Sequence, residues 1–562
     1  EIDLDFREDC YTVCKLTTAA SQSMNSSFNT TRSLPVKILL AFVLATASLL
    51  LLRPLVASKG KDKEPPKPSA ISEKPTAATP TALAERIDSA IDESDLGAAR
   101  WGVSVISMSD GSTVYQRNAD KLFTPASNMK IYTTGVALDL LGADYRWRTS
   151  VYGAQPDANG RVQGDLILYG RGAPDLLASS KDENRGSLAK LADDLYARGV
   201  RSVSGNLVGD ESYFRGDPLG DGWQWTDLQW YFAAEASALS INGNEVDINF
   251  VPGAKASESL VRTTDTEDYV TVQNRMVAAD GSGPSTVGVH RGLSDNNIEV
   301  WGEFAPGSKG FGARLSVYKP ALWAAKLFAK GLKARGIAVG GQTLSRDSRV
   351  PPSQRFDPSH AIELAFVQSE PLSEIAKKTN KESINLYAEL ILRTLGRERG
   401  EMAALPQAIG RERGDDEAGL AVIRVWLARA GISTTRLALH DGSGLSRLDL
   451  VTPETSARFL LALSKTNVGQ MFKESLPIAG RDGTLAGRLK MEADRVSAKT
   501  GSLTYDNSLS GYLTTSQGRI LAFSIMCNDQ TGRADSIRLI DQIVTLLAAY
   551  PYPSEGKPKK SP

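Results

Sequence analysis

Apolar and polar positions change rhythm several times along the chain. Residues 38–52 are almost all apolar, a run of signal-peptide length that sits at the short end for a membrane span. Residues 101–108 alternate as a strand does, Asp110-Gly111 supplies a turn, and 113–116 continue as a second strand. Positions 127–141 carry a helical pattern that stops at Gly142. From about 148 to 350 the pattern becomes strand-like and glycine-punctuated, as at 164–169 and 203–209; a helix at 320–335 starts on Pro320 and ends before Gly336. From Pro371 onward helices dominate, at 372–395, 416–430 and 452–464. Two strands, 509–514 and 520–527, precede a last helix at 534–549.

These shifts divide the chain. Residues 1–33 form an extension, within which Met24, just ahead of a basic flank, reads as a better start than Glu1. Residues 34–58 read as a signal peptide or membrane anchor, and 59–82, rich in Lys, Pro, Ser and Ala, as a linker. A first folded segment covers 83–150, strand-rich inserted material 151–350, a second folded segment 351–549, and a Pro- and Lys-rich tail 550–562. The bulk of the protein is expected to be exported, in the periplasm or cell envelope.

Composition narrows the chemistry. Lysine plus arginine equals aspartate plus glutamate, for a net charge of zero, which argues against a nucleic-acid partner. Three cysteines make no disulfide framework; Cys10 and Cys14 precede the apolar run, and Cys527 reads as a small core residue in an apolar strand. Only three histidines, His290, His360 and His440, are present, so an activated serine would more naturally be served by lysine.

Three short motifs supply that arrangement in order: Ser127-Asn128-Met129-Lys130, Ser383-Ile384-Asn385 and Lys499-Thr500-Gly501. They match S-x-x-K, S-x-N and K-T-G. On a helix, residues three apart share a face, so Lys130 lies one turn from Ser127, and a buried lysine of lowered pKa can take the serine proton. S-x-x-K recurs at Ser58, Ser187, Ser316 and Ser554, and S-x-N at Ser204, Ser240 and Ser294. Ser58 and Ser554 fall in linkers, Ser316 stands before a helix-breaking proline, and the three S-x-N copies lie in turn-forming sequence. Ser383-Ile384-Asn385 instead opens a helical run, placing the Ser383 hydroxyl as a proton relay and Asn385 against the lysine. Lys499 and Thr500 suit a substrate carboxylate, Gly501 suits close approach of substrate backbone, and the N–H groups of Ser502 and Ser127 suit an oxyanion. His440-Asp441-Gly442-Ser443-Gly444 contains triad residue types without a strand-to-helix elbow and reads as a turn near the site.

With these motifs, the stretches 123–130, 234–244, 380–389, 441–447, 476–485 and 498–503 make the chain resemble the D-alanyl-D-alanine carboxypeptidase/endopeptidase family. These are the class C low-molecular-mass penicillin-binding proteins with large inserted domains. The resemblance implies an α/β (α+β) multidomain fold. A transpeptidase domain like those of penicillin-binding proteins and serine β-lactamases is split by a strand-rich insert carrying a nested third domain at about 246–314. It implies Ser127 as the acylated nucleophile, Lys130 as base, Ser383 and Asn385 as relay and positioning groups, and Lys499 as the carboxylate-facing cation, with no cofactor or metal. The implied substrate is a peptidoglycan peptide ending in D-Ala-D-Ala, and β-lactams are the implied covalent inhibitors. Two departures stand out: Ile384 lies where the family often has a polar residue, and Asp175 is displaced within a Gly-Asp-Pro-like stretch at 170–175. The competing readings are a serine β-lactamase, normally a much shorter chain, and a catalytically idle cell-wall-binding protein, which has no need of an intact Ser127 and Lys130.

Overall fold

The computed structural model describes residues 80–180, 186–252, 260–264, 268–279, 285–305, 308–403, 414–531 and 535–550. The expected extension, apolar run and most of the linker and tail lie outside them. Among the described residues, no helix is long and apolar enough to cross a membrane.

Two ends of the chain build one sheet. Its order is Val496–Leu503, Asp506–Thr514, Ile520–Asn528, Arg100–Ser107, Thr113–Arg117, antiparallel throughout. The alternation at 101–107 separates two cores rather than core from solvent, because nearly every residue of that strand is buried. Trp101, Val103 and Val105 face helices Pro80–Asp92 and Ser536–Ala549. Ile106, with Ala522 and Met526, faces the core that holds Met129, Val136 and Phe459. A sheet covered by helices on both faces must be apolar on both. Cys527 is buried in this sheet, and burial pushes its thiol up to about 12, as suits a small core residue.

The K-T-G motif lies inside a strand, Val496–Leu503, rather than ahead of one. The helix expected at 372–395 is two helices, Leu372–Lys381 and Asn385–Arg399. The break is at Ser383, whose φ is 59°, a left-handed conformation that ends a helix. Helix Leu188–Ala197, within the strand-rich region, has Ser187 as its N-cap; the glycine-punctuated pattern had hidden it.

The inserted region has its own five-stranded sheet, in the order Thr343–Arg346, Leu207–Asp210, Leu166–Tyr169, Arg148–Tyr152, Glu363–Gln368. Helices Leu188–Ala197 and Pro320–Ala334 pack on it. The chain enters and leaves this layer at adjacent points: Ser369 N–H donates to the Trp147 carbonyl at 2.9 Å, and Trp147 N–H to Ser369 Oγ at 3.0 Å. Between 245 and 316, six further strands form two three-stranded sheets.

Candidate active site

Ser127 sits in a short 3-10 turn, Ala126–Asn128, that feeds helix Met129–Leu141. The turn is tied down on several sides. Thr124 N–H donates to Asn528 Oδ1 at 2.7 Å, Ser508 Oγ donates to the Pro125 carbonyl at 2.6 Å, and Asn128 Nδ2 donates to Ser508 Oγ at 2.7 Å and to the Lys499 carbonyl at 3.1 Å. A Cβ on Gly501 would lie 2.2 Å from Ser508 Oγ and 2.6 Å from the Pro125 carbonyl. The close approach that Gly501 permits is thus between the K-T-G strand and the protein's own serine-bearing turn.

Lys130 is fully buried. Its Nζ lies 3.0 Å from Ser127 Oγ, 2.6 Å from Asn385 Oδ1 and 2.7 Å from the Ser443 carbonyl. Burial pulls its pKa down to about 7, against the opposing carboxylates of Asp441 and Glu389. A neutral amine has two N–H groups and one lone pair. The two oxygen acceptors use the N–H groups, so the lone pair is left for the Ser127 hydroxyl.

The second motif is divided between two lysines. Asn385 serves Lys130, while Ser383 Oγ accepts from Lys499 Nζ at 2.8 Å. Breaking the helix at Ser383 achieves this, because a continuous helix would hold residues 383 and 385 about 200° apart around one axis. Lys499 Nζ also donates to the Thr500 carbonyl at 2.8 Å, and Thr500 Oγ1 lies 2.7 Å from Thr484 Oγ1. Ser502 is exposed at the end of the same strand, with its Oγ donating to Asn507 Oδ1 at 2.9 Å. All three motifs therefore converge through direct hydrogen bonds. Asp175 is buried and accepts from Glu370 N–H at 2.9 Å, a tie between the insert and the segment that follows it.

Sequence reasoning passed over the acids behind Lys130. The segment 440–446 is indeed a turn, organised around the buried Asp441 carboxylate. Asp441 accepts from the N–H groups of Ser443, Gly444 and Ser446 at 3.1, 2.6 and 2.7 Å, and from Trp223 Nε1 at 2.9 Å. Glu389 Oε1 accepts from Gly442 and Ser443 N–H, each at 2.9 Å, and Glu389 Oε2 from Arg393 at 2.9 Å. One signal was available: Asn385, Glu389 and Arg393 recur at i, i+4, i+8 along the otherwise apolar stretch 385–393. Asn385 Nδ2 donates to the Phe232 carbonyl at 2.8 Å, so the insert also touches the site. A cleft of about 1220 Å³ is lined by Glu211, Arg215, Glu235, Arg349 and His440, the first residue of the turn, and Ser127 takes no part in it.

Comparison with known proteins agrees with this geometry. Residues 83–550 match the family described as D-Ala-D-Ala carboxypeptidase 3 (S13). The chain is 33% identical over 484 residues to a D-alanyl-D-alanine carboxypeptidase of Actinomadura sp., covering 84% of this chain and 85% of that one. It is 29% identical to the D-alanyl-D-alanine carboxypeptidase DacB of Haemophilus influenzae, over 75% of this chain and 83% of the relative. The crystal structure of penicillin binding protein 4 from the same organism superposes with a TM-score of 0.70 at 25% identity, over 82% of this chain and 98% of that one. With the family match spanning nearly all of the described residues, and the three motifs assembled around one buried lysine, this chain belongs to the D-Ala-D-Ala carboxypeptidase 3 (S13) family.

Proposed function

We propose that the protein cleaves the terminal D-Ala-D-Ala bond of peptidoglycan peptides through an acyl-enzyme on Ser127. The observation that carries this reading is the aim of Lys130: buried, low in pKa, with two fixed acceptors and Ser127 Oγ at 3.0 Å. Lys130 takes the hydroxyl proton as Oγ attacks the carbonyl carbon of the penultimate D-Ala. The N–H groups of Ser127 and Ser502 receive the oxyanion. Collapse breaks the C–N bond and expels the terminal D-Ala, whose amine takes, relayed by Ser383, the proton that Lys130 accepted from Ser127, leaving Lys130 neutral for the second step. Water then attacks the ester, with Lys130 again as base, and frees the shortened peptide. Lys499 and Thr500 hold the terminal carboxylate, with Gly501 keeping the strand against the serine turn.

β-Lactams acylate the same serine, and cross-linked peptides containing the same D-centred bond are substrates of the same chemistry. The enzyme works in the cell envelope, delivered there by the apolar run at 38–52. The inserted unit is best placed at 148–368, because strands Arg148–Tyr152 and Glu363–Gln368 pair within its sheet. The limits read from the sequence, 151 and 350, cut through the first of these strands and leave the second outside.

The test combines a fluorescent penicillin with a pentapeptide ending in D-Ala-D-Ala. The exported fragment is expected to be stably labelled and to release D-Ala, and Ser127→Ala to do neither. Rapid turnover of the penicillin would instead mark a β-lactamase, and an unlabelled wild-type protein would mark a binding protein.

A further inference from the structure

Helix Asn385–Arg399 reaches Lys130 by two routes. Asn385 bonds Nζ directly. One turn further on, Glu389 bonds the N–H groups of Gly442 and Ser443, and the carbonyl of Ser443 is the second acceptor on Nζ. The Gly442 peptide is gripped at both ends, since its carbonyl accepts from Thr133 Oγ1 at 2.7 Å. Thr133 and Lys130 are three residues apart on helix Met129–Leu141, so the turn carrying Ser443 is held between the two helices that bear Lys130 and Asn385.

We propose that Glu389 is a positioning residue for the general base: by clamping the turn at Gly442 and Ser443 it keeps the Ser443 carbonyl on Lys130 Nζ, and so aims the amine lone pair at Ser127. The reasoning is geometric. If only Asn385 held an N–H, the amine could turn about the terminal bond of its side chain and present a proton to Ser127. That orientation cannot accept the serine proton. A misplacement of about 1 Å in such a group can lower the rate by about 100-fold. The role needs an acceptor oxygen and no particular charge. Burial and then the Asp441 carboxylate push Glu389 up to about 7, with Arg393 and the Ser443 side chain opposing, and Oε1 accepts both N–H groups in either protonation state. Asp441 shares the Ser443 N–H at 3.1 Å, whereas Gly442 N–H is taken by Glu389. The two acids therefore have distinct tasks: Asp441 shapes the turn internally, and Glu389 docks it.

This inference rests on Lys130 being the base. Replacing Glu389 alone would leave the buried Arg393 with only the Asp217 carbonyl at 3.0 Å and the more distant Asp416 at 3.8 Å, so the comparison uses two double variants of the full chain, Glu389→Gln/Arg393→Met and Glu389→Ala/Arg393→Met. Both lose the ion pair, and only the first keeps an acceptor at the position of Oε1. Acylation by the fluorescent penicillin is read per folded molecule, alongside D-Ala release from the pentapeptide. The glutamine version is expected to acylate at least about tenfold faster than the alanine version, with the difference in kcat and KM within about twofold. Equal acylation in the two, including none in either, overturns the proposal, as does a difference confined to KM. If the wild-type protein is not labelled, the acyl-enzyme reading falls and this inference with it. If the wild type is labelled and the two variants are equal, only the inference falls.

Discussion

At the scale of single residues, the site is a problem of where one proton sits. Lys130 works as a base only when neutral, and burial holds its pKa near 7. The sign follows directly. Below that pH the amine is protonated and cannot accept from Ser127, so acylation should fall about tenfold per unit below pH ~6 and level off above pH ~8. Penicillin acylation rates measured across pH 5 to 9 check this; a flat acid limb would show that another group sets the protonation. Gly501 makes a second residue-scale case. Gly501→Ala would place a methyl group against Ser508 Oγ and the Pro125 carbonyl. Overpacking of this kind costs about 1–3 kcal/mol. The expected result is a lowered urea midpoint together with slowed labelling, because the same contact positions the serine turn.

At the scale of elements, the site depends on how closely helices cross. Helices Asn385–Arg399 and Asp415–Arg429 meet at Gly396, where a Cβ would come 1.8 Å from the Asp415 carbonyl. Gly396→Ala should push the helices apart and destabilise the fold by at least about 2 kcal/mol, read as a drop in the thermal midpoint. Its effect on labelling should follow the folded fraction, since Gly396 lies about three turns from Asn385. Trp223 links the insert to the catalytic turn through the Asp441 carboxylate at 2.9 Å. Trp223→Phe removes that donor while Asp441 keeps its backbone partners. A loss of about 1.5 kcal/mol is expected, with slowed acylation beyond what the stability loss explains. Labelling at wild-type rate per folded molecule would show that the link is structural only.

At the scale of the whole molecule, the insert is bonded into the site as well as lying beside it. Phe232 holds Asn385, Trp223 holds Asp441, Arg215 pairs with Asp415 at 2.9 Å, and the Asp217 carbonyl accepts from Arg393 at 3.0 Å. Its ends, Trp147 and Ser369, are hydrogen-bonded neighbours, so removing 148–368 and joining the ends through a short Gly-Ser linker is geometrically feasible. The shortened chain is expected to retain helical and strand content by circular dichroism but to lose penicillin labelling. Undiminished labelling would mean that the insert serves substrate choice alone.

The sequence by itself determined the chemistry and its approximate layout. Ser127, Lys130, Ser383, Asn385 and Lys499 were legible because local pattern sets their context: a serine opening an apolar helix, a serine-x-asparagine at a helix start, a K-T-G beside a strand. The change to strand-like, glycine-punctuated sequence after about 148 pointed to inserted material. Local pattern could not show that Ser383 belongs to Lys499 and Asn385 to Lys130, because that division depends on a left-handed residue in a stretch whose periodicity reads as unbroken helix. It could not give Glu389, Asp441 or Trp223 their places, since the contacts that join Glu389 to the turn and Trp223 to Asp441 span 53, 54 and 218 residues of the chain. The edges of the insert were blurred for the same reason: Arg148–Tyr152 and Glu363–Gln368 belong to it through pairing across more than two hundred residues. Period and composition reveal what a segment can do on its own. Which oxygen faces the lysine is decided only when distant segments pack.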